Sequence, residues 1–271
     1  MTMTGALSKA WLLMCLALLA PLSGCLGPAE EGPGSNPITM SVHYDVTAGT
    51  IEEVIRNGQL ISQSGVDLSF DFSRVASNSA AMKTFTMDPG DDEEGANAIT
   101  VNSNENTKIS YTYLTHGLFV ANLSALDENG NTASMTVTVR IDKTIAWTET
   151  NTGVPEPMPI LVTPDCQCNL PERIGIDSII TNLNTPITGN QVTVTWHLNN
   201  PDGTEEASHT EQAADGQDAS WDHEEFHLMD GTWSLEVTID VGNDNIDVDH
   251  TVMVQYETLE SEPNPFISEE A

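Results

Sequence analysis

Positive charge is what this 271-residue chain has least of. Its 8 lysines and arginines stand against 41 aspartates and glutamates, for a formal net charge of −33. A surface that acidic repels nucleic acid and anionic lipid headgroups and attracts cations, so no nucleic-acid partner is expected. Aromatics are sparse at 6%, and no basic–aromatic patch of the kind that tracks single strands is present. Cysteine is scarce as well. Cys15 and Cys25 fall near the start, leaving Cys166 and Cys168 in TPDCQCNLP, too few for a disulfide scaffold. Their spacing admits a local disulfide, free thiols, intermolecular bridges or a soft-metal site such as copper, though no second cysteine pair or histidine cluster lies nearby to complete the last. Apolar runs long enough to cross a bilayer are lacking, and so are a Gly-rich phosphate loop and a G-x-S-x-G elbow. Apolar residues still make up 39%, which describes a folded protein with an acidic skin suited to salty water.

The longest apolar stretch is AWLLMCLALLA (10–20), preceded by Lys9 and followed by Leu22-Ser23-Gly24-Cys25. This resembles the lipobox of prokaryotic lipoprotein signal peptides. The resemblance implies cleavage after residue 24, lipid on Cys25, and membrane attachment of an exported surface protein through that residue. Residues 25–37, rich in Gly, Pro and Glu, read as a flexible tether, and 258–271 as an acidic disordered tail.

Between these ends, period-two alternation dominates, with turn residues separating the runs. VDLSFDFS (66–73) puts Val66, Leu68, Phe70 and Phe72 on one face. KISYTY (108–113), LFVANLSALD (118–127) and SMTVTVRI (134–141) repeat the pattern, and DENGN (127–131) supplies a turn. Only GTIEEVIRNGQ (49–59) looks helical. After a polar, proline-bearing linker (144–157), strand patterning resumes in RIGIDSII (173–180), QVTVTWHL (191–198), GTWSLEVTIDVG (231–242) and NIDVDHTVMVQY (245–256). The expected fold is all-β: two tandem immunoglobulin-like β-sandwiches, residues 38–143 and 158–257.

The first of these resembles the PKD domain. Val66 to Ser73 match its apolar first strand. In YTYLTHGLFVANLSALDENG (111–130), Tyr113, Gly117, Phe119, Ala121, Leu123, Ala125, Asp127 and Gly130 fall in the family's register without a gap. The central Trp-Asp-Phe-Gly-Asp-Gly stretch is reduced to MDPGDD (87–92), keeping Asp88, Gly90 and Asp91. The resemblance implies a spacer or a module that contacts protein or carbohydrate partners.

One motif points elsewhere. His223-Glu224-Glu225-Phe226-His227 fits H-E-x-x-H, in which two histidines hold zinc and Glu224 would activate water in a small hydrolase. The motif requires a helix, because on a strand residues i and i+4 lie about 13 Å apart. Asp230-Gly231 and Asp215-Gly216 crowd it from both sides. The predicted state is therefore a strand with Phe226 and Leu228 inward and His223, Glu225 and His227 outward, continuing as a hairpin into Trp233 and Leu235. Asp-rich loops carry Asp88, Asp91 and Asp127; bunched oxygens suit calcium, but the EF-hand spacing is missing and solvated turns in an acidic protein are the favoured reading. Asn122-Leu123-Ser124 is a glycosylation acceptor on a predicted strand. The chain therefore reads as a non-enzymatic, lipid-anchored surface protein with no catalytic residue, and zinc-hydrolase and calcium- or copper-binding readings as alternatives.

Overall fold

A computed structural model describes residues 36–92, 95–184, 189–259 and 262. The signal segment, most of the tether with Cys25, and nearly all of the tail lie outside the described residues. Among those described there is no helix. The first strands are β1 (Ile38–Thr39), β2 (Ala48–Arg56), β3 (Gln59–Gln63), β4 (Val66–Asp71), β5 (Ala76–Ser77) and β6 (Met82–Asp88). They are followed by β7 (Ile99–Asn102), β8 (Lys108–Tyr113), β9 (Gly117–Asp127), β10 (Thr132–Thr152) and β11 (Met158–Leu161). The last six are β12 (Arg173–Asn182), β13 (Val192–Asn199), β14 (Glu205–Ala213), β15 (Asp218–Phe226), β16 (Thr232–Val241) and β17 (Ile246–Gln255).

Alternation places the cores. Leu68, Phe70, Ile109, Tyr113, Phe119, Leu123, Val137, Val139 and Ile141 all turn inward, and β4 and β8 face β10-β9-β6-β7 around them. In the other half, Val192, Val194, Trp196 and Leu198 are fully buried, as are Val252 and Val254. There the sheet β11-β16-β13-β14 faces β10-β17-β12-β15 across the second core. The all-β sandwich expectation is met.

The two halves are stitched together by strands that belong to both. The stretch expected as a linker at 144–157 is, as far as Thr152, the second half of β10. Val137, Val139 and Ile141 enter one core, and Ile145 and Trp147 the other. One edge of β10 meets β9 at residues 132–141 and β17 at 143–152; the other meets β2 in parallel. β2 comes from the N-terminal segment, yet Ile55 packs on the second core while Ile51 is buried in the first. This overturns the helical reading of 49–59. Ile51 and Ile55 mimic a helical repeat, but Asn57-Gly58, with φ of 46° and 70°, makes the tight turn of a hairpin. Its ladders to β10 and β3 satisfy the backbone that a helix would have satisfied internally.

Among the described residues of the segment expected as a loose tail, Glu262 is anchored. Glu262 is buried and receives Arg140 Nε at 2.6 Å, while Arg140 also bonds Asp142. The guanidinium holds the Glu262 carboxyl below its ordinary range, against the opposing effect of burial.

Candidate functional site

The H-E-x-x-H stretch is extended, as the sequence predicts, but in the opposite phase. Ala219, Trp221, His223 and Glu225 share the inner side of β15, and Phe226 is exposed. Trp221, seated in the second core, sets that phase. His223 stacks on it with ring centroids 5.0 Å apart, and its Nε2 lies 3.3 Å from Glu225 Oε2. His227 then takes a left-handed φ of 61°, which ends the strand and lets Leu228 reach the core. The expected hairpin does not form either. β15 pairs with β12 in the nine-stranded sheet, whereas β16 pairs with β13 and β11 in the other. Residues 227–231 cross between sheets, pinned by Trp233 Nε1 donating to Met229 O at 3.0 Å. His223, Glu224 and His227 therefore do not converge.

The acidic loop residues are occupied by neighbouring amides and hydroxyls. Asp127 is buried and accepts hydrogen bonds from Asn129 N, Asn131 N, Asn131 Nδ2 and Ser77 Oγ at 2.8–3.0 Å. Burial pushes its pKa up, but those bonds outweigh it and hold the carboxyl below its usual value. Asp88 accepts from Gly90 N, and Asp91 from the Tyr111 hydroxyl and Asn97 Nδ2. Among the described residues, no three His, Cys, Asp or Glu side chains group as a metal site. Asn122 sits on the exposed face of β9, between Thr136 of β10 and Asp88 of β6.

Two clefts open where the halves meet. The first, of about 600 Å³, is lined by Asp91, Asp92, Leu118, Val120, Asp165 and Gln167, with the Cys166–Cys168 disulfide along one wall. Its walls are held from several directions. Leu118 N donates to Cys168 Sγ at 3.4 Å, and Asp92 accepts from the amides of Ala96 and Asn97. Gly117 lets the disulfide loop approach, since a Cβ there would lie 2.8 Å from Cys166 Sγ and 2.9 Å from the Phe119 ring. Gly90, at φ 75°, lies against the Val120 carbonyl in the same way. The lining mixes apolar side chains, Val120 among them at 57% exposed, with groups that can hydrogen-bond.

The second cleft, of about 510 Å³, is floored by Ile51, His116 and the Lys143–Glu53 ion pair (2.9 Å) and rimmed by Gln63, Leu114 and Leu161. His116 closes its inner end. Leu161 O can only accept, so Nε2 carries the proton toward it (3.2 Å) and Nδ1 receives the Tyr256 hydroxyl (2.9 Å). Burial first, and the Lys143 ammonium second, push His116 down to about 4. A further histidine lies sealed in the second core. Trp196 Nε1 donates to Ser178 Oγ, which is in turn hydrogen-bonded to His250 Nδ1, each at 2.7 Å. This Ser–His pair is out of reach of a substrate, since Ser178 and His250 are 0% and 2% exposed. Sequence reading missed His116 and the Ser178–His250 pair, whose partners are 140 and 72 residues apart.

No family model matches the chain, and no curated protein matches it. Solved structures resemble it distantly. One, described as carbohydrate-binding modules of the β-sandwich superfamily, is 11% identical over 83% of this chain and 94% of its own, with a TM-score of 0.30. The VP2 subviral particle of infectious bursal disease virus is 10% identical over 81% and 68%, at 0.28. Tripeptidyl peptidase 2 is 8% identical over 80% and 20%, at 0.27. These likenesses add nothing to the all-β character that the strands already establish.

Proposed function

We propose that this is a non-enzymatic surface protein, exported and anchored by lipid on Cys25, which binds a protein or carbohydrate partner at the junction of its two halves. The observation that carries the reading is the cleft of about 600 Å³ between β9, the 90–92 turn and the disulfide loop. Its walls come from both halves and are fixed by hydrogen bonds, a disulfide and two close glycine contacts, so a ligand meets a preformed surface. Leu118 and Val120 offer an apolar floor, while Asp165 and Gln167 can bond hydroxyl or amide groups. Leu22-Ser23-Gly24-Cys25 supports the anchor, and the PKD-like register of residues 111–130 supports a binding or spacing role.

The test is binding of the full lipidated chain, reconstituted in vesicles, to a glycan array and to native envelope fractions. Saturable binding that Val120→Arg weakens about tenfold is expected for a ligand filling this cleft. A bound ligand that is hydrolysed, binding indifferent to Val120→Arg, or vesicle association indifferent to the lipid-blocking Cys25→Ala would overturn the reading.

A further inference from the structure

The β2–β3 hairpin leaves one edge of the nine-stranded sheet open among the described residues. Among the described residues, β3 pairs only with β2. The register identifies the free backbone groups. Ser64 N donates to Glu52 O at 2.9 Å, so the preceding residue, Gln63 opposite Glu53, turns its N–H and C=O away from β2. Proteins normally guard such edges with lysine, proline or charge. Residues 59–66, QLISQSGV, contain none of these, in a chain with 41 acidic residues. Leu60 and Ile61, at the register shift opposite Ile55 and Val54, are 57% and 55% exposed. The second cleft lies alongside, with Gln63 on its rim, Leu114 59% exposed and Leu161 47% exposed. Leu161 ends β11, itself an edge strand of the opposing sheet.

We infer that β3 receives an extended, basic segment of a partner protein, which adds a strand to the sheet and sets alternate apolar side chains over the second cleft. Free N–H and C=O groups select a strand, and the exposed leucines and isoleucine select its apolar face. Charge selects the sign. Asp165 lines the cleft, Glu52 lies opposite Ser64 at the end of β3, and the Glu156 carboxylate lies against the β2–β3 turn at Gly58. Of the cations nearby, Lys143 is paired with Glu53 and Arg56 lies opposite Gln59, against a chain that as a whole carries −33. Such a surface attracts lysine and arginine and repels a second copy of itself. The inference rests on the surface-binding reading above but uses other residues, so the two can fail separately.

The probe is a short, fluorescently labelled peptide of alternating valine and lysine, titrated against the full chain at physiological salt and followed by anisotropy. A companion peptide with two valines replaced by proline keeps the charge but cannot pair as a strand. The unbroken peptide should bind saturably, and its companion about tenfold more weakly. Ile61→Lys and Gln63→Pro should each weaken the unbroken peptide about tenfold, while Val120→Arg leaves it unchanged. Ile61 is exposed, so that variant stays informative if Gln63→Pro disturbs folding. Absence of binding, or equal binding of both peptides, would overturn the inference, equal binding because it shows mere charge attraction. Loss in Val120→Arg but not in Ile61→Lys would move the peptide to the junction cleft, leaving the proposed function standing and this inference not. Sedimentation as a dimer that Ile61→Lys dissociates would make a second copy the occupant and would equally overturn it.

Discussion

The two cores solve burial differently. The first is built on Phe70, Phe72, Phe85 and Phe119, with Tyr113 more deeply buried than Tyr44; Tyr113 needs only one bond, from its hydroxyl to Pro89 O at 3.0 Å. The second is built on Trp196 and Trp233 and encloses a chain of polar groups, Trp196–Ser178–His250, with Trp147 donating to the buried Glu149. An apolar core is stabilised by area and shape alone, whereas one with enclosed polar atoms is stable only while each donor keeps its acceptor. Because β2 and β10 serve both, the contrast lies within one cooperative structure. The strongest test is Phe70→Ala beside Trp196→Ala, each expected to cost about 3–5 kcal/mol. Calorimetry should show both lowering a single shared transition. Two separated transitions, each moved by one variant only, would mean that the halves fold apart.

Acid should find the second core and the junction before the first. His250 and His116 are both pushed down to about 4, mainly by burial. The unfolded histidine titrates near 6.5, so protonation favours the unfolded chain. The sign follows: this contribution is intact above about pH 6.5 and is lost progressively as pH falls toward 4, by up to about 3 kcal/mol per histidine. Asp127 and Glu262, whose pKa values are lowered, keep their contributions above the ordinary carboxylate values of 3.8 and 4.5 and lose them as pH falls below those, so they enter only at the acid end of that window. Neutralising surface carboxylates relieves repulsion over the same range, so the measurement must be differential. Urea unfolding at several pH values should show His116→Gln and His250→Gln each flattening the decline between 6.5 and 4. Unchanged slopes would mean that neither ring is held neutral.

A smaller difference separates the polar contacts themselves. Ser178→Ala strands the Trp196 N–H and the His250 ring inside the second core and should cost about 1–3 kcal/mol. Tyr113→Phe removes the donor and leaves only a carbonyl with one fewer bond, for about 1 kcal/mol. Chemical denaturation of the two variants checks the order, and equal losses would erase the distinction between the cores.

Much of this was legible from residue order, and the misses share a cause. Alternation located the strands carrying Phe119 to Asp127 and Ile246 to Tyr256, because one face of each packs against a core. It failed where a single backbone conformation changes the phase. Left-handed His227 decouples Phe226 from Leu228, so reading back from Leu228 put His223 on the wrong side. At 49–59 the spacing of Ile51 and Ile55 suited a helix, and Asn57-Gly58 was the signal that should have outweighed it. At the candidate sites, the acidic residues could be placed on loops from sequence. That Asp88, Asp91 and Asp127 are occupied by nearby amides and hydroxyls depends on geometry, as does the meeting of His116 with Tyr256.

The same phase problem gives the finest test. Strict alternation along β16 puts Trp233, Leu235, Val237, Ile239 and Val241 on one inward face. The pairing with β13 shifts between Thr193 and Val194, however, and beyond the shift Val241 is 61% exposed while Val237 is 6% exposed. A bulge turns the strand end outward without any change in residue pattern, which is why the sequence does not betray it. Val237→Thr should then cost about 1–2 kcal/mol, since it puts a hydroxyl into the second core. Val241→Thr should stay within about 0.5 kcal/mol of the parent, as exposed positions do. Were the two substitutions equally damaging in urea titrations, β16 would run in register to its end and the sandwich would close one residue pair further than described.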